Sequence, residues 1–454
     1  MPSRPLAWFH CFSTRKITMS DILRVGIAGV GTVGAAVARL LTRQADALTS
    51  RTGRKIIVTA VSVRDPGKER DADLSAVEFF SDPVKLAASA NIDLFVELIG
   101  GAEGPARASV EAALAHGKSV VTANKALLAA HGLELAAMAE EKRVALAFEA
   151  SVAGGIPIVK TLREGLAGNS IQRVYGILNG TCNYILSRME LEELSFEECL
   201  AEAQKLGYAE ADPTFDIGGF DTGHKLSILA SLAFGVRIAP EAIDVEGIER
   251  VTLADIEAAA ELGFRIKLLG VAERTADGVE QRVHPTMVRK TSSIAEVMGV
   301  LNAVTIDADA VHELTLVGPG AGGDATASAV VADIADIARG VRSAPFGVPT
   351  AGLSTLVRAP MRRHEGGYYI RLSVPDVPGA FAGIATRMAE RGISLESIMQ
   401  HGARRGPKSA DGAPVGVILI THATSEHLVR EALDAIYEDG TISARAQVIR
   451  IERE

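Results

Sequence analysis

The feature that most constrains this chain is a glycine triplet set between an apolar run and a helical pattern. Residues 23–28 (LRVGIA) form a short continuous apolar run, suited to a parallel strand buried on both faces. Gly29, Gly31 and Gly34 follow at G-x-G-x-x-G spacing, with Thr32 and Val33 inside the motif. The next residues, AAVARLLTRQ, have helical periodicity. A strand, a tight turn and a helix in this order suit a dinucleotide pyrophosphate. The glycines permit the turn and the close approach of the phosphates, and the helix N-terminus presents free N–H groups. A glycine-rich turn without a ligand has the same spacing.

The following elements extend that unit. A second strand is expected at residues 55–63 (KIIVTAVSV), ending at Arg64-Asp65. A binder of a ribose 2′-hydroxyl needs an acid at this edge. Here Arg64 stands first, with Lys68 and Arg70 behind it, and cations suit a 2′-phosphate. NADP is therefore expected, and Asp65 leaves NAD open. Further strands are expected at 94–99, 119–122 and 144–150, separated by helical patterns. The alternation predicts an α/β unit over residues 19–150, with a doubly wound parallel sheet and its ligand crevice at the strands' carboxyl ends. Thr122 and Lys125 follow one such strand, where they can meet cofactor or substrate; a surface lysine at a helix start has the same pattern.

Composition excludes some alternatives. The length of 454 residues predicts two or three domains, and 48% hydrophobic residues suffice for their cores. A net charge of −9 without a long basic run argues against nucleic acid or an anionic membrane as partner. No apolar run reaches the roughly 18 residues of a membrane span. Three cysteines, Cys11, Cys182 and Cys199, make no disulfide framework and fit a reducing, cytoplasmic compartment. Residues 1–18 are basic and aromatic, with a short apolar stretch and no small-residue cleavage site. They are expected to be an upstream extension or disordered leader, since Met19 opens a natural start.

A second unit is expected over residues 151–340, an α+β domain with an open mixed sheet. It opens on a glycine-rich turn (SVAGGIPIV); exposed carbonyls at Gly154-Gly155 could hold a hard monovalent cation, which spacing alone does not show. Strands are expected at 174–178, 267–272, 280–287 and 311–317. After the first, the Asn179-Gly180 turn precedes a helical run over residues 184–192; Thr181 or Asn183 is the expected cap, with N–H groups around Gly180 and Thr181 available to a carboxylate. The stretch 203–225 then gathers Glu210, Asp212, Asp216, Asp221 and Lys225, with Tyr208 beside them. Asp221 and Lys225 are four apart and share one helix face. A solvated acidic loop with an ordinary ion pair would look alike. A second glycine turn, residues 318–323 and including Gly322, opens an Ala-rich helix able to pack back on the first unit and close over the nicotinamide. Residues 341–366, rich in Pro and Gly, are expected to be a linker. Residues 367–454 follow the order βαββαβ, a ferredoxin-like arrangement.

With these motifs in order, the sequence resembles homoserine dehydrogenase carrying a C-terminal ACT regulatory domain. The resemblance spans residues 19–454. Its signature runs without a gap through Gly207-Tyr208-Ala209, Asp212-Pro213, Asp216-Ile217, Gly219, Asp221 and Lys225. The resemblance implies a Rossmann first domain, a catalytic and dimerisation domain, and reversible conversion of L-homoserine to L-aspartate 4-semialdehyde with NADP or NAD. It implies Lys225 as the acid–base residue, assisted by Lys125, with Glu210, Asp216 and Asp221 holding substrate or supporting the lysine. It also implies a sodium ion on the carbonyls of Glu149, Val152, Gly154 and Ile156, a homodimer or homotetramer, and L-threonine as regulator.

The chemistry of the residues agrees. Homoserine's ammonium calls for an acid, here Glu210, and its carboxylate for N–H groups, as around Gly180 and Thr181. Hydride leaves for the nicotinamide, so the hydroxyl proton must pass to a base. With no zinc-ligand cluster in the sequence, a lysine must serve, although free lysine has a pKa of about 10.4. Two other readings compete. A semialdehyde-oxidising enzyme would use Cys182 as nucleophile, against its role as a small buried apolar residue. A non-catalytic nucleotide and amino-acid sensor would be expected to have lost Lys225 or the carboxylates.

Overall fold

The computed structural model describes residues 21–359, 365–401 and 414–452. The expected leader at 1–18 lies outside the described residues, as does Cys11.

The first unit is a six-stranded sheet of β1 (Ile22–Ala28), β2 (Lys55–Ser62), β3 (Glu78–Phe80), β4 (Leu94–Glu97), β5 (Ser119–Thr122) and β6 (Leu146–Ala147), in the order β3-β2-β1-β4-β5-β6. All five pairings are parallel. Its strands are apolar on both sides because helices cover both faces. Val25, Ile27 and Val96 pack toward the helix Thr32–Arg43. Phe95 and Val120 face the helices Pro105–Ala115 and Lys125–Lys142. The strand expected at 144–150 is short: after two residues the chain tightens into a 3₁₀ turn, Glu149–Ser151, because it leaves the sheet here for the next unit.

The second unit is built on β7 (Ile171–Ile177), β9 (Phe264–Thr275), β10 (Gly278–Arg289), β11 (Leu301–Ala308) and β12 (His312–Pro319), with the two-residue β8 (Asp244–Val245) beside β10. These five longer strands pair antiparallel in the order β12-β11-β7-β9-β10. β11 and the short β3 were not expected from the sequence. In β11, Asn302, Thr305 and Asp307 interrupt the apolar pattern. Its last helix, Gly323–Ala338, crosses back to the first unit, where Ala327, Val330 and Ile334 join Val37 and Leu41 in one core. A Cβ on Gly323 would lie 3.2 Å from the Thr32 side chain, so both glycine-led helices start side by side.

The segment after residue 340 does not hang free. Phe346 is buried against Phe148, with ring centroids 5.2 Å apart. Thr350 donates from its N–H and hydroxyl to Glu140, and Ser354 N donates to Gly235 O at 3.0 Å.

The C-terminal unit has β13 (Glu365–Pro375), the helix Ala380–Glu390, β14 (Leu395–His401), β15 (Pro414–Thr421), the helix Glu426–Glu438 and β17 (Gln447–Ile451), with a two-residue β16 (Thr424–Ser425) on the rim. Its order, β17-β13-β15-β14, continues the central sheet: β17 pairs parallel with β10 at Thr286–Arg450 and Met287–Ile451. The joint is reinforced at Asp255, fully buried, which takes Arg371 Nε at 2.6 Å and the Tyr369 hydroxyl at 2.9 Å.

Candidate active site

The site forms where the first unit's sheet edge meets two helix starts of the second unit. Lys125 is the first residue of Lys125–Lys142, whose cap Asn124 accepts from Leu127 N–H at 3.0 Å. Asp221 and Lys225 stand one turn apart on Phe220–Phe234. The helix Gly180–Glu192 opens opposite them. Its cap is Asn179, not Thr181 or Asn183, because the helix begins at Gly180, two residues before the start a Thr181 cap would give and four before that of an Asn183 cap. Asn179 Oδ1 accepts from Cys182 N–H at 2.8 Å.

Asp221 is the centre. It is 4% exposed. One carboxylate oxygen lies 3.0 Å from Lys125 Nζ, and the other 2.8 Å from Lys225 Nζ. Asn179 Nδ2 donates to Asp221 at 2.9 Å and to Asp216 at 2.8 Å. Lys225 also donates to Leu178 O at 2.6 Å, so its amine is oriented from two sides. Burial pushes the Asp221 carboxyl up, but Lys225, Lys125 and the hydrogen bonds outweigh it and hold the group well below the carboxylate range. Asp216 moves the other way: burial raises it, with Asp221 adding to the rise, against the Asn179 hydrogen bond and both lysines.

The remaining expected residues divide. Thr181 donates its hydroxyl to Tyr208 O at 2.7 Å, tying the loop to the helix start. Tyr208 is itself half-exposed, with its ring edge-on to Tyr184. Gly180 lies so close to the 300 loop that a Cβ would sit 2.7 Å from Val300 O. Glu210 is exposed; its backbone carbonyl accepts from Gln204 Nε2, and its carboxylate joins none of the described contacts of the cluster.

At the nucleotide end, Gly29 is left-handed (φ 92°), and a Cβ there would be 2.5 Å from Leu98 O. Gly31 has open space around it at the start of Thr32–Arg43, with Val33 behind it on the first turn. A cleft of about 590 Å³ lies against this turn, lined by Gly31, Thr32, Lys68, Arg70 and Gly323. These residues fit a dinucleotide: an open anion-facing helix start with cations on the rim. Arg64 is exposed just past β2. Arg70 instead braces the loop, donating to the carbonyls of Val30, Lys68 and Asp65. Gly322 is left-handed (φ 117°) and caps Gly323–Ala338.

Sequence reasoning missed three supporting groups. Glu97, fully buried at the end of β4, accepts from the Thr122 hydroxyl at 2.6 Å and from Ile99 and Gly100 N–H. It shapes the crevice between β4 and β5. The signal was available: a lone acid ending an apolar strand at the expected ligand edge. His224, beside Lys225, lies edge-on to Phe215, and burial lowers its pKa. Lys267, 1% exposed and pushed down to about 8 by burial, donates to Asn183 and Val297 O, locking the loop behind Gly180.

Glu149 is buried and serves as a cap: its carboxylate accepts from Val159 and Lys160 N–H at 2.9 and 2.8 Å, while its own N–H donates to Asp333. Burial and the Asp333 charge push it up to about 7. Cys182 is fully buried beneath Asp216, donating to Asp216 O at 3.2 Å, and burial raises its thiol well above the ordinary value. It is a packed residue and no nucleophile.

Known proteins share this architecture. The homoserine dehydrogenase family profile matches residues 157–335, its NAD-binding-domain profile residues 29–149, and the ACT profile residues 368–438. A homoserine dehydrogenase of Pseudomonas aeruginosa is 45% identical over 437 residues, covering 95% of this chain and 99% of that protein. One from Helicobacter pylori is 41% identical over 434 residues, 96% of this chain and 100% of its own. The crystal structure of a homoserine dehydrogenase from Thiobacillus denitrificans superposes with a TM-score of 0.88 at 42% identity, covering 95% and 98% of the two chains. A hyperthermophilic archaeal homoserine dehydrogenase in complex with NADPH matches 69% of this chain and 97% of its own, with a TM-score of 0.58 and 30% identity. This chain belongs to the homoserine dehydrogenase family, in the form that ends in an ACT domain.

Proposed function

We propose that the protein interconverts L-homoserine and L-aspartate 4-semialdehyde with NADP, and with NAD as a second cofactor. The carrying observation is the buried Asp221 carboxylate bridging Lys125 and Lys225 at 3.0 and 2.8 Å. When bound, the nicotinamide accepts or returns the hydride at the alcohol carbon. The chain's own residues then manage one proton. Lys225, aimed by Asp221 and Leu178 O, is placed to give that proton to the aldehyde oxygen during reduction. In the oxidative direction the neutral amine takes it back, so oxidation is favoured at higher pH. Lys125 brings the first unit's positive charge to the same carboxylate and assists. Asp216 and Glu210 are assigned to the substrate ammonium, and the first N–H groups of Gly180–Glu192 to its carboxylate.

The Glu149–Ile156 segment suits a monovalent cation. Ala153 and Gly154 are both left-handed (φ 54° and 46°), and among the described residues no hydrogen bond reaches the carbonyls of Val152 or Gly154. The Ile156 carbonyl already accepts from Ile158 N–H, but a carbonyl keeps a second lone pair. Sodium on the Glu149, Val152, Gly154 and Ile156 carbonyls would brace this buried turn beside the second glycine loop.

The ACT domain supports regulation by a small molecule, for which we assign L-threonine, the amino acid made downstream of homoserine. The same role implies a place in threonine and methionine biosynthesis, a cytoplasmic location and a homodimer or homotetramer. Among the described residues no helix is long and apolar enough to cross a membrane. The test is NADP-linked oxidation of L-homoserine by the purified protein, with NAD in parallel and L-serine as control. Homoserine-dependent reduction of NADP is expected; reduction with neither nucleotide would reject the assignment.

A further inference from the structure

One carboxylate, Glu246, links the C-terminal domain to the segment that supports Asp216. Around it, residues 244–248 run between β10 and the helix Thr214–Ile217, which carries Asp216. Glu246 N–H donates to Val283 O at 2.7 Å, and Ile248 N–H to Ile217 O at 2.8 Å. The fit is close: a Cβ on Gly247 would lie 2.3 Å from Ile217 O and 2.6 Å from Gly218 Cα. Gly219 is left-handed (φ 85°), and its Cβ would meet Val283 at 3.0 Å and Val245 at 3.1 Å. Any shift of 244–248 therefore moves the turn between Asp216 and Asp221.

The Glu246 side chain points the other way. Arg430 Nη2, from Glu426–Glu438, lies 3.1 Å from Glu246 Oε1, and Arg450 Nη1, from β17, lies 3.1 Å from Oε2. Arg450 is 6% exposed and is fixed further by Glu426, at 2.7 and 3.0 Å. Two arginines of one domain thus converge on a carboxylate whose backbone supports the other domain's substrate segment. Planar guanidinium groups hold a carboxylate at a defined position and angle.

We propose that Glu246 is a positioning residue through which the C-terminal domain sets the substrate site. The proposal rests on the homoserine dehydrogenase reading and deepens it. The arginine pair fixes Glu246, which fixes 244–248, which sets Asp216 and, through Asn179, the bridged Asp221. The cofactor cleft is built from other elements, so the effect is selective for the amino-acid substrate. A rearrangement of the C-terminal domain that withdrew Arg430 would change homoserine affinity without altering a residue at the site.

The test uses the full-length enzyme with Glu246→Gln, Arg430→Ala and Arg430→Lys, measuring kcat and both KM values. Thermal unfolding and NADPH binding are recorded for each variant. Because Arg430 is 45% exposed on a surface helix, its replacement is expected to leave the fold intact, and the thermal unfolding record checks this. The expected result is a loss of about fivefold to twentyfold in kcat/KM for homoserine in Glu246→Gln and Arg430→Ala, carried mainly by KM. The KM for NADP should stay within about twofold, and Arg430→Lys should restore most of the loss. Homoserine parameters within about twofold of wild type in both Glu246→Gln and Arg430→Ala would overturn the positioning role. So would a fall in kcat alone that follows the fraction of folded protein. A wild type inactive toward homoserine would instead overturn the underlying reading, which separates the two failures.

Discussion

Lys125 and Asp221 meet at 3.0 Å although they belong to different domains, one at the start of a helix on the nucleotide-binding sheet, the other one turn before Lys225. This contact makes the bridged carboxylate sensitive to how the two domains are held. It also pairs a buried charge that would otherwise be costly. Removing one partner of such a pair costs about 3–5 kcal/mol when it leaves the other charge unmatched. Two ammonium groups share the task here, so no single lysine substitution strands Asp221.

The first prediction concerns acid. A carboxyl whose folded pKa is depressed contributes stability that is present above its unfolded pKa, about 3.9 for Asp, and is lost as pH falls toward the folded value. Asp221 is held low in the fold. Asp221→Asn should therefore be less stable than wild type at neutral pH, with the gap narrowing as pH drops below about 4. Denaturant unfolding at several pH values measures this; a gap independent of pH would contradict the ion-pair account.

Glu149 predicts the opposite slope. Its folded pKa is raised to about 7 by burial and Asp333. The folded state then holds a proton that the unfolded chain releases at about pH 4.3. Its contribution is fully present below the unfolded pKa and is lost as pH rises through about 7. Glu149→Gln should flatten the pH dependence of stability across that window, and an unchanged slope would show that Glu149 ionises normally.

Cofactor choice is predicted to rest on Arg64, since Arg70 is occupied by three carbonyls. Arg64→Ala should weaken NADP by roughly 1.5–3 kcal/mol and leave NAD nearly unchanged. Arg70→Ala should weaken both by loosening the loop. Titration of both nucleotides into both variants decides; equal losses in Arg64→Ala would remove the 2′-phosphate contact from the account.

A fourth prediction concerns the ACT domain. Truncation after Ala359 keeps the packed Phe346 and Leu353 but removes β17 from the edge of β10 and strips Arg371 and Tyr369 from buried Asp255. The truncated protein should unfold at a lower temperature and lose inhibition by threonine. Threonine inhibition as strong as in the full chain would place the regulatory site elsewhere.

Much of this was legible in the sequence, for physical reasons. The first sheet's strands carry apolar runs and glycine turns with strong local signals, so both the fold and the open helix start at Gly31 could be anticipated. Asp221 and Lys225 could be paired because helix geometry alone brings them together. Lys125 could be placed at the carboxyl end of a strand, but its contact with Asp221 depends on domain packing that no local pattern encodes. The Asn179 cap was misassigned by position, because turn chemistry at Asn179-Gly180 suits either a hairpin or a helix start. β11 was missed because polar residues interrupt its apolar run. Glu210 carries the right charge for the ammonium, yet its side chain stands apart from the cluster, and a spacing argument has no access to that. The continuation of the central sheet through β17 was equally hidden, since only two residue pairs make it.

The central claim is that Lys225, aimed by Asp221, transfers the proton in homoserine oxidation and aldehyde reduction. The direct measurement is the rate of L-aspartate 4-semialdehyde reduction by Lys225→Ala saturated with NADPH, after its fold and NADPH binding are shown to match wild type. The account predicts a loss of about 10² to 10⁴ in kcat, the usual contribution of a positioned acid–base group. Turnover near the wild-type rate would contradict it.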